Sequence, residues 1–160
     1  LDELLDADDK VSTPFPDSVF TTCKISFCDA PSVAEKNEDA ACETMEAVTI
    51  IGNYDHTKRG QFVSWEDGKI VQVRSGSTVL FPAGTKRYSF LAVAPNETRY
   101  LFRQYCNAGV LRWIEKGGRS DQEWEDSVPP EELATLKEMR AALGAASIKS
   151  FSKISDIFVL

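Results

Sequence analysis

The side chains best suited to chemistry in this chain lie on one short stretch, Glu97-Thr98-Arg99-Tyr100-Leu101-Phe102-Arg103-Gln104-Tyr105. Read as a strand, its period-two alternation puts Arg99, Leu101, Arg103 and Tyr105 on one side and Thr98, Tyr100, Phe102 and Gln104 on the other. Two guanidinium groups on one face are costly to bury without acidic partners. Two arrangements satisfy them. Either the face points outward and Arg99 pairs with Glu97 or another carboxylate, or the face lines a cleft in which arginine grips an acidic ligand through paired hydrogen bonds. Arg87 and Arg112 are further candidates for such a cleft.

Other chemistries find little support. His56 is the single histidine, so a two-histidine, one-carboxylate iron site cannot be assembled. A cysteine-based zinc site lacks a paired Cys-x-x-Cys spacing. No P-loop, Gly-x-Ser-x-Gly elbow or Rossmann fingerprint occurs. His56 sits in Asn53-Tyr54-Asp55-His56-Thr57-Lys58-Arg59-Gly60 and reads as a solvated turn residue. Trp65, Trp113 and Trp124 are scattered and lack basic runs, which points to core and lid positions rather than a base-stacking platform. Asn96-Glu97-Thr98 has only the form of a glycosylation sequon.

With 160 residues, 42% hydrophobic and 27% charged, the chain is expected to form one globular domain with a real core. Its net charge of -7 argues against a sequence-independent nucleic-acid surface, which needs concentrated Lys and Arg. No apolar run approaches the roughly 18 residues of a membrane span, and no basic-then-apolar leader is visible. The expectation is a soluble, intracellular protein, cytoplasmic or nuclear. Leu1 is not a natural start, so signals upstream of it are out of view. Cys23, Cys28, Cys42 and Cys106 are too few for a disulfide scaffold. Cys23 and Cys28 would point to opposite faces of one strand, so free thiols in a reducing compartment are expected.

The elements that must position these residues form a β-rich chain. Leu1 to Lys10 is acidic, with Leu1, Leu4 and Leu5 at helical spacing, and Val11 to Pro16 is a connector. Ser18 to Phe27 alternates as a strand. Asp29 to Thr44 has no apolar period and reads as a long loop with almost no apolar residue to anchor it, expected to be mobile, displaced or ordered only by a partner. Strands follow at Ala47 to Tyr54, Gln61 to Trp65, Lys69 to Arg74, Thr78 to Phe81, Tyr88 to Val93 and Thr98 to Cys106, with Asp67-Gly68 as a two-residue hairpin signal. Tight turns at this regularity predict antiparallel meanders. Val110 to Ile114 is a short apolar run, Asp121 to Trp124 a turn of helix, and Pro129-Pro130-Glu131-Glu132 opens a helix that stops at Gly144 and covers one face of the β core. Ile148, Phe151, Ile154, Ile157 and Phe158 predict one more.

In order and spacing, several of these segments together resemble a group of basidiomycete-fungal domains related to the TET/JBP class of 2-oxoglutarate and iron(II) dioxygenases. They are Val48-Thr49-Ile50-Ile51-Gly52-Asn53-Tyr54-Asp55, Gly60 through Trp65, Gly76-Ser77-Thr78-Val79-Leu80-Phe81-Pro82, Glu97-Thr98-Arg99-Tyr100, Gln104-Tyr105 and Arg112-Trp113. The resemblance runs from about Phe20 to Leu143 and implies a double-stranded β-helix. It also implies a His-x-Asp pair where Glu35-Lys36-Asn37 stands, a second His where Tyr88 stands, and an Arg-x-Ser where Arg99-Tyr100-Leu101 stands. Gln61 occupies another position that the resemblance implies is His. The arginine is kept and every implied histidine is gone, so iron(II) loses the imidazoles it needs.

The resulting expectation is a β-rich α+β fold. Residues 1–16 form an N-terminal segment, 17–115 a double-stranded β-helix (jelly-roll-like) core, and 116–160 a helical extension packed outside. The expected function is a catalytically inactive dioxygenase-like domain acting as a ligand-binding or interaction module. Its expected ligand residues are Arg99, Arg103, Tyr88, Tyr105, Glu35 and Asn37, with no metal and no cofactor. The partner is a small acidic ligand or a protein, not nucleic acid or membrane, and the oligomeric state stays open. Two enzyme readings stand beside it: metal-free acid–base chemistry using Glu35 or Tyr88, and residual 2-oxoglutarate-dependent oxygenation.

Overall fold

The computed structural model describes residues 13–27, 33–136 and 138–139. The helices expected at 1–10 and 148–160, and Cys28, lie outside the described residues. The described residues form seven strands: β1 Thr22–Phe27, β2 Glu46–Asn53, β3 Phe62–Ser64, β4 Lys69–Val71, β5 Thr78–Phe81, β6 Tyr88–Phe90 and β7 Thr98–Tyr105. They form two antiparallel sheets, one in the order β1-β7-β2-β5 and the other β4-β3-β6. This is a double-stranded β-helix of jelly-roll kind.

The expected meanders are corrected. Only β3 and β4 are consecutive neighbours in one sheet; β2 bonds instead to β5 and β7, and β3 to β6. After β4 the chain changes sheet at every connection, which brings Phe81 of β5, Tyr88 and Phe90 of β6 and Leu101 of β7 together between the layers. Turn residues alone do not distinguish a hairpin from a corner between sheets. The β3–β4 hairpin is real, but Ser64 pairs with Lys69, so the loop has four residues rather than two. Asp67 is engaged by its side chain, accepting from Ser64 Oγ at 2.6 Å and from Lys86 Nζ at 2.6 Å, and Gly68 turns the chain at φ +60°.

Between the sheets Val48, Ile50, Phe62, Val73, Phe81, Tyr88, Phe90 and Leu101 form one buried cluster. Phe62 meets Phe81 and Phe90 edge-on at 5.1 and 5.4 Å, a geometry aromatic rings favour over a face-to-face sandwich. The short apolar run near Val110 is a helix, α1 (Ala108–Glu115), with Asn107 as its N-cap accepting from the amides of Gly109 and Val110. Its Leu111 packs with Ala41, Cys106 and Phe20. Helix α2 (Asp121–Ser127) starts on a Ser120/Glu123 capping box. A third helical run opens at residue 130, and among its described residues Leu133 and Leu136 are half-buried and the rest exposed. No described helix is long and apolar enough to cross a membrane.

Candidate functional site

Strand β7 follows the alternation: Arg99, Leu101, Arg103 and Tyr105 are buried while Thr98 and Tyr100 are exposed. The outward-facing alternative is therefore overturned, and so is the Arg99–Glu97 pair. Glu97 instead accepts from the amides of Asp55 and Ala94, each at 2.8 Å, and ties two turns together.

The two arginines meet different surroundings. Arg99 is 1% exposed, donates through Nη1 to the Leu91 carbonyl at 2.5 Å, and lies 5.3 Å from the Phe90 ring centre. It cross-braces β7 to the segment after β6 and does not line the cleft expected of it. The reason is pleat length, since a residue four positions along a strand sits roughly 13 Å away.

Arg103 is the organising group of the site. Its Nε donates to Glu46 Oε1 at 2.5 Å and its Nη2 to Glu46 Oε2 at 3.4 Å, with the Glu46 side chain fully enclosed. Asn37 Nδ2 donates to the same Glu46 Oε2 at 2.7 Å, and the Tyr88 ring lies under the guanidinium at 5.4 Å. The remaining Nη1 faces Glu35 Oε1 at 3.9 Å. Burial is the largest single influence on Arg103 and lowers its pKa, but the Glu46 hydrogen bond together with the nearby Tyr88, Glu46 and Glu35 groups outweighs it and holds the cation firmly charged. Burial, and then the nearby Glu46 carboxylate, push the Tyr88 hydroxyl far above the ordinary tyrosine value; burial raises Tyr105 as well. The Tyr88 hydroxyl is buried and has no hydrogen-bond partner among the described residues.

The loop before β2 is anchored, which corrects the expectation of an unanchored segment. Glu35 and Tyr88 exchange backbone hydrogen bonds at 3.1 and 3.0 Å, Asn37 N donates to the Ala83 carbonyl at 2.8 Å, and Ala41 N donates to the Cys106 carbonyl at 2.8 Å. Small apolar residues do the packing, with Ala40 and Ala41 buried. Above Arg103 a polar cleft of about 590 Å³ opens, walled by Lys24, Glu35, Lys36, Asn37 and Arg87 among others. The structure thus gathers Glu35, Asn37 and Arg103 at the cleft, sets the Tyr88 ring against Arg103, buries Tyr105 on the same face of β7, and leaves Arg99 apart. Arg87 reaches the wall while bound to Glu66 at 3.0 Å, and Arg112 is exposed on α1.

Sequence reasoning missed Glu46. The signal was available: Glu46 has the parity of Val48 and Ile50, so it had to point inward.

No family model matches the sequence, and no curated protein does. Among solved structures the chain is similar to NgTET1 in complex with 5mC DNA, at a TM-score of 0.56 and 12% identity over 67% of this chain and 41% of that one. The fold is dioxygenase-like. The chain spans about two fifths of the length of that structure. A Cupin 2 conserved barrel domain protein from Salinispora arenicola also matches, at a TM-score of 0.36 and 19% identity over 64% of this chain and 77% of that one.

A dioxygenase-like fold raises the question of iron, and the residues here do not fit it. Glu35, Asn37 and Tyr88 offer no imidazole, the Asn37 amide is committed to Glu46, and Glu46 is neutralised by Arg103. His56 is elsewhere, accepting from Arg74 Nε at 3.3 Å. Among the described residues no three His, Cys, Asp or Glu side chains form a metal-holding group.

Proposed function

We propose that this chain is a dioxygenase-like domain that has given up metal-dependent oxidation and uses the Arg103 cleft to bind a small acidic ligand. The observation that carries the reading is the closed Arg103–Glu46–Asn37 network: Glu46, the one buried carboxylate among the described residues, is consumed by a guanidinium rather than left for a metal. At the cleft wall neither Lys24 nor Lys36 has a carboxylate within salt-bridge distance among the described residues, so both can meet an anion. The TET/JBP resemblance supports the same reading through its missing histidines. Metal-free acid–base chemistry is less favoured, because Glu35 and Tyr88 meet through backbone atoms only and the Glu35 side chain is 54% exposed. An exposed carboxylate gains none of the burial that tunes a catalytic acid or base.

The test has two arms. Purified protein supplied with iron(II), 2-oxoglutarate and oxygen produces no succinate and retains no stoichiometric iron. In EDTA, calorimetric titration with a small dicarboxylate shows salt-sensitive binding that weakens about tenfold in Lys24→Gln/Lys36→Gln, the loss of a few charge-assisted bonds. Stoichiometric iron in the cleft, or succinate formation, overturns the reading.

A further inference from the structure

Among the described residues the outer face of the four-stranded sheet carries no charged side chain. Strand register sets Phe27, Tyr100 and Ile51 in one row, Ile25, Phe102, Thr49 and Thr78 in the next, and Cys23, Gln104, Ala47 and Leu80 in the one after. The two ends of the face differ. At one, residues 15–20 lie against Phe102 and Gln104 of β7: Phe15 meets Phe102 edge-on at 5.8 Å, and an apolar groove of about 470 Å³ opens beside them. At the other, Phe27 stands 79% exposed, edge-on to Tyr100 at 5.7 Å, with Tyr100 and Ile51 open beside it. The face therefore has an aromatic knob at one end and an apolar hollow at the other.

Such a face is complementary to itself. A two-fold axis lying across the strands, between two copies, sets the bare end of each over the covered end of the other. Strand β1 then overlies β1, so each Phe27 points towards the groove of the second copy, four residues or roughly 13 Å further along the strand. Leu80 of one copy likewise faces Ile51 of the other. The strands stay nearly aligned, as when two sheets pack in a sandwich.

Size and charge favour the same occupant. Phe27, Ile25, Ile51, Leu80 and Tyr100, with Phe15 and Val19 at the groove, present on the order of 700 Å² to water, more than a monomer usually leaves in one patch. Covered on two copies this amounts to up to about 1,400 Å², within the range of a specific interface. The chain has a net charge of -7, and an identical copy meets least repulsion through a surface free of like charges. A partner selected by opposite charge finds only Asp17, in the wall of the groove, to pair with.

We propose that two copies of this chain pair through the outer face of the four-stranded sheet, about a two-fold axis that seats each Phe27 in the groove formed by residues 15–20 of the other. The pairing is independent of what the Arg103 cleft binds, since Lys24 and Arg103 have the opposite strand parity and point away from this face.

Sedimentation of the 160-residue chain from about 1 to 200 μM is expected to show a reversible monomer–dimer equilibrium, tightened by added salt because screening relieves the mutual repulsion. Phe27→Ser/Tyr100→Thr weakens it about tenfold or more with the β circular-dichroism signal unchanged, and Phe27→Ser alone weakens it about threefold should the double variant not fold. Ile70→Ser, at an exposed position on the other sheet, leaves it unchanged. The photo-cross-linker p-benzoylphenylalanine in place of Phe27 joins to a peptide within 15–20 of a second copy and gives a covalent dimer. A monomer throughout that range, a dimer indifferent to Phe27→Ser or broken equally by Ile70→Ser, a dimer loosened by salt, or cross-links from residue 27 only within a single chain overturns the proposal.

Discussion

Truncating Glu46 to alanine leaves the Arg103 guanidinium enclosed with no counter-charge, since the carboxylate accepts both Nε and Nη2. Removing one member of a buried pair costs about 3–5 kcal/mol, and Asn37 Nδ2 loses its acceptor in the same step, adding about 1 kcal/mol. Against the ~5–15 kcal/mol that holds a domain of this size together, this is a severe loss. With a urea slope of about 2 kcal/mol per molar, the midpoint falls by about 2 M. Arg103→Met alone does comparable damage, because it strands the Glu46 carboxylate. The combined Glu46→Leu/Arg103→Met variant replaces both charges with apolar groups and lies within about 1 kcal/mol of the parent. Equilibrium urea unfolding followed by circular dichroism supplies all three values. A Glu46→Ala midpoint shift under about 0.5 M, or a double variant as damaged as the sum of the singles, would refute the view that this pair braces the site through mutual neutralisation.

Tyr88→Phe removes a buried hydroxyl that has no partner among the described residues, so stability holds or rises by about 1 kcal/mol; a loss beyond that in urea would reveal a bond to the hydroxyl. The same group gives a pH dependence. Its folded pKa is raised by burial above the unfolded value of about 10, so its contribution is whole below pH ~10 and is lost as the pH climbs further. Urea midpoints from pH 8 to 11 should accordingly fall less steeply in Tyr88→Phe, and equal slopes would contradict the assignment. At Gly52 the backbone has φ +148° and an added Cβ would lie 2.2 Å from the Thr98 carbonyl oxygen, so Gly52→Ala costs about 3 kcal/mol or more. Gly76→Ala, also at positive φ but with open space around it, costs about 1 kcal/mol, and an equal loss at both positions would sink the steric argument.

Strand positions were legible from period-two alternation and the turn residues that bound each run, as with Val48 and Ile50 in β2 and Leu101 in β7. Pairing was not, since the β2–β7 and β3–β6 contacts join residues far apart in sequence, where local turn chemistry is silent. Helix α1 escaped because eight residues with a single apolar stripe look like a short strand; Asn107 ahead of Ala108-Gly109 was the capping signal that could have identified it. In the site, Arg103 was singled out by residue type and alternation, and Tyr88 only by the position it takes in the family resemblance. The anchoring of residues 33–44 was missed because it rests on backbone hydrogen bonds and two buried alanines, neither of which leaves a periodic trace.

The spacing of the two arginines bears on what the cleft can take. Arg99 and Arg103 share a face, yet Arg99 is spent on the Leu91 carbonyl in the closed interior, and Arg103 has committed Nε and Nη2 to Glu46. An incoming carboxylate therefore cannot claim a bidentate grip on either guanidinium without displacing Glu46 into a site where it has no other cation. It meets instead the Nη1 edge, guarded by Glu35 at 3.9 Å. Glu35 is over half exposed and free to turn outward at little cost, unlike Glu46, which is enclosed. On the proposed reading, ligand entry would exchange one carboxylate for another at Nη1, and the affinity gained would have to come from Lys24 and Lys36 on the wall rather than from the buried pair. Glu35→Gln should then tighten dicarboxylate binding several-fold by removing the competitor, as calorimetry can measure. Weaker binding in Glu35→Gln would mean that Glu35 contacts the ligand rather than competing with it.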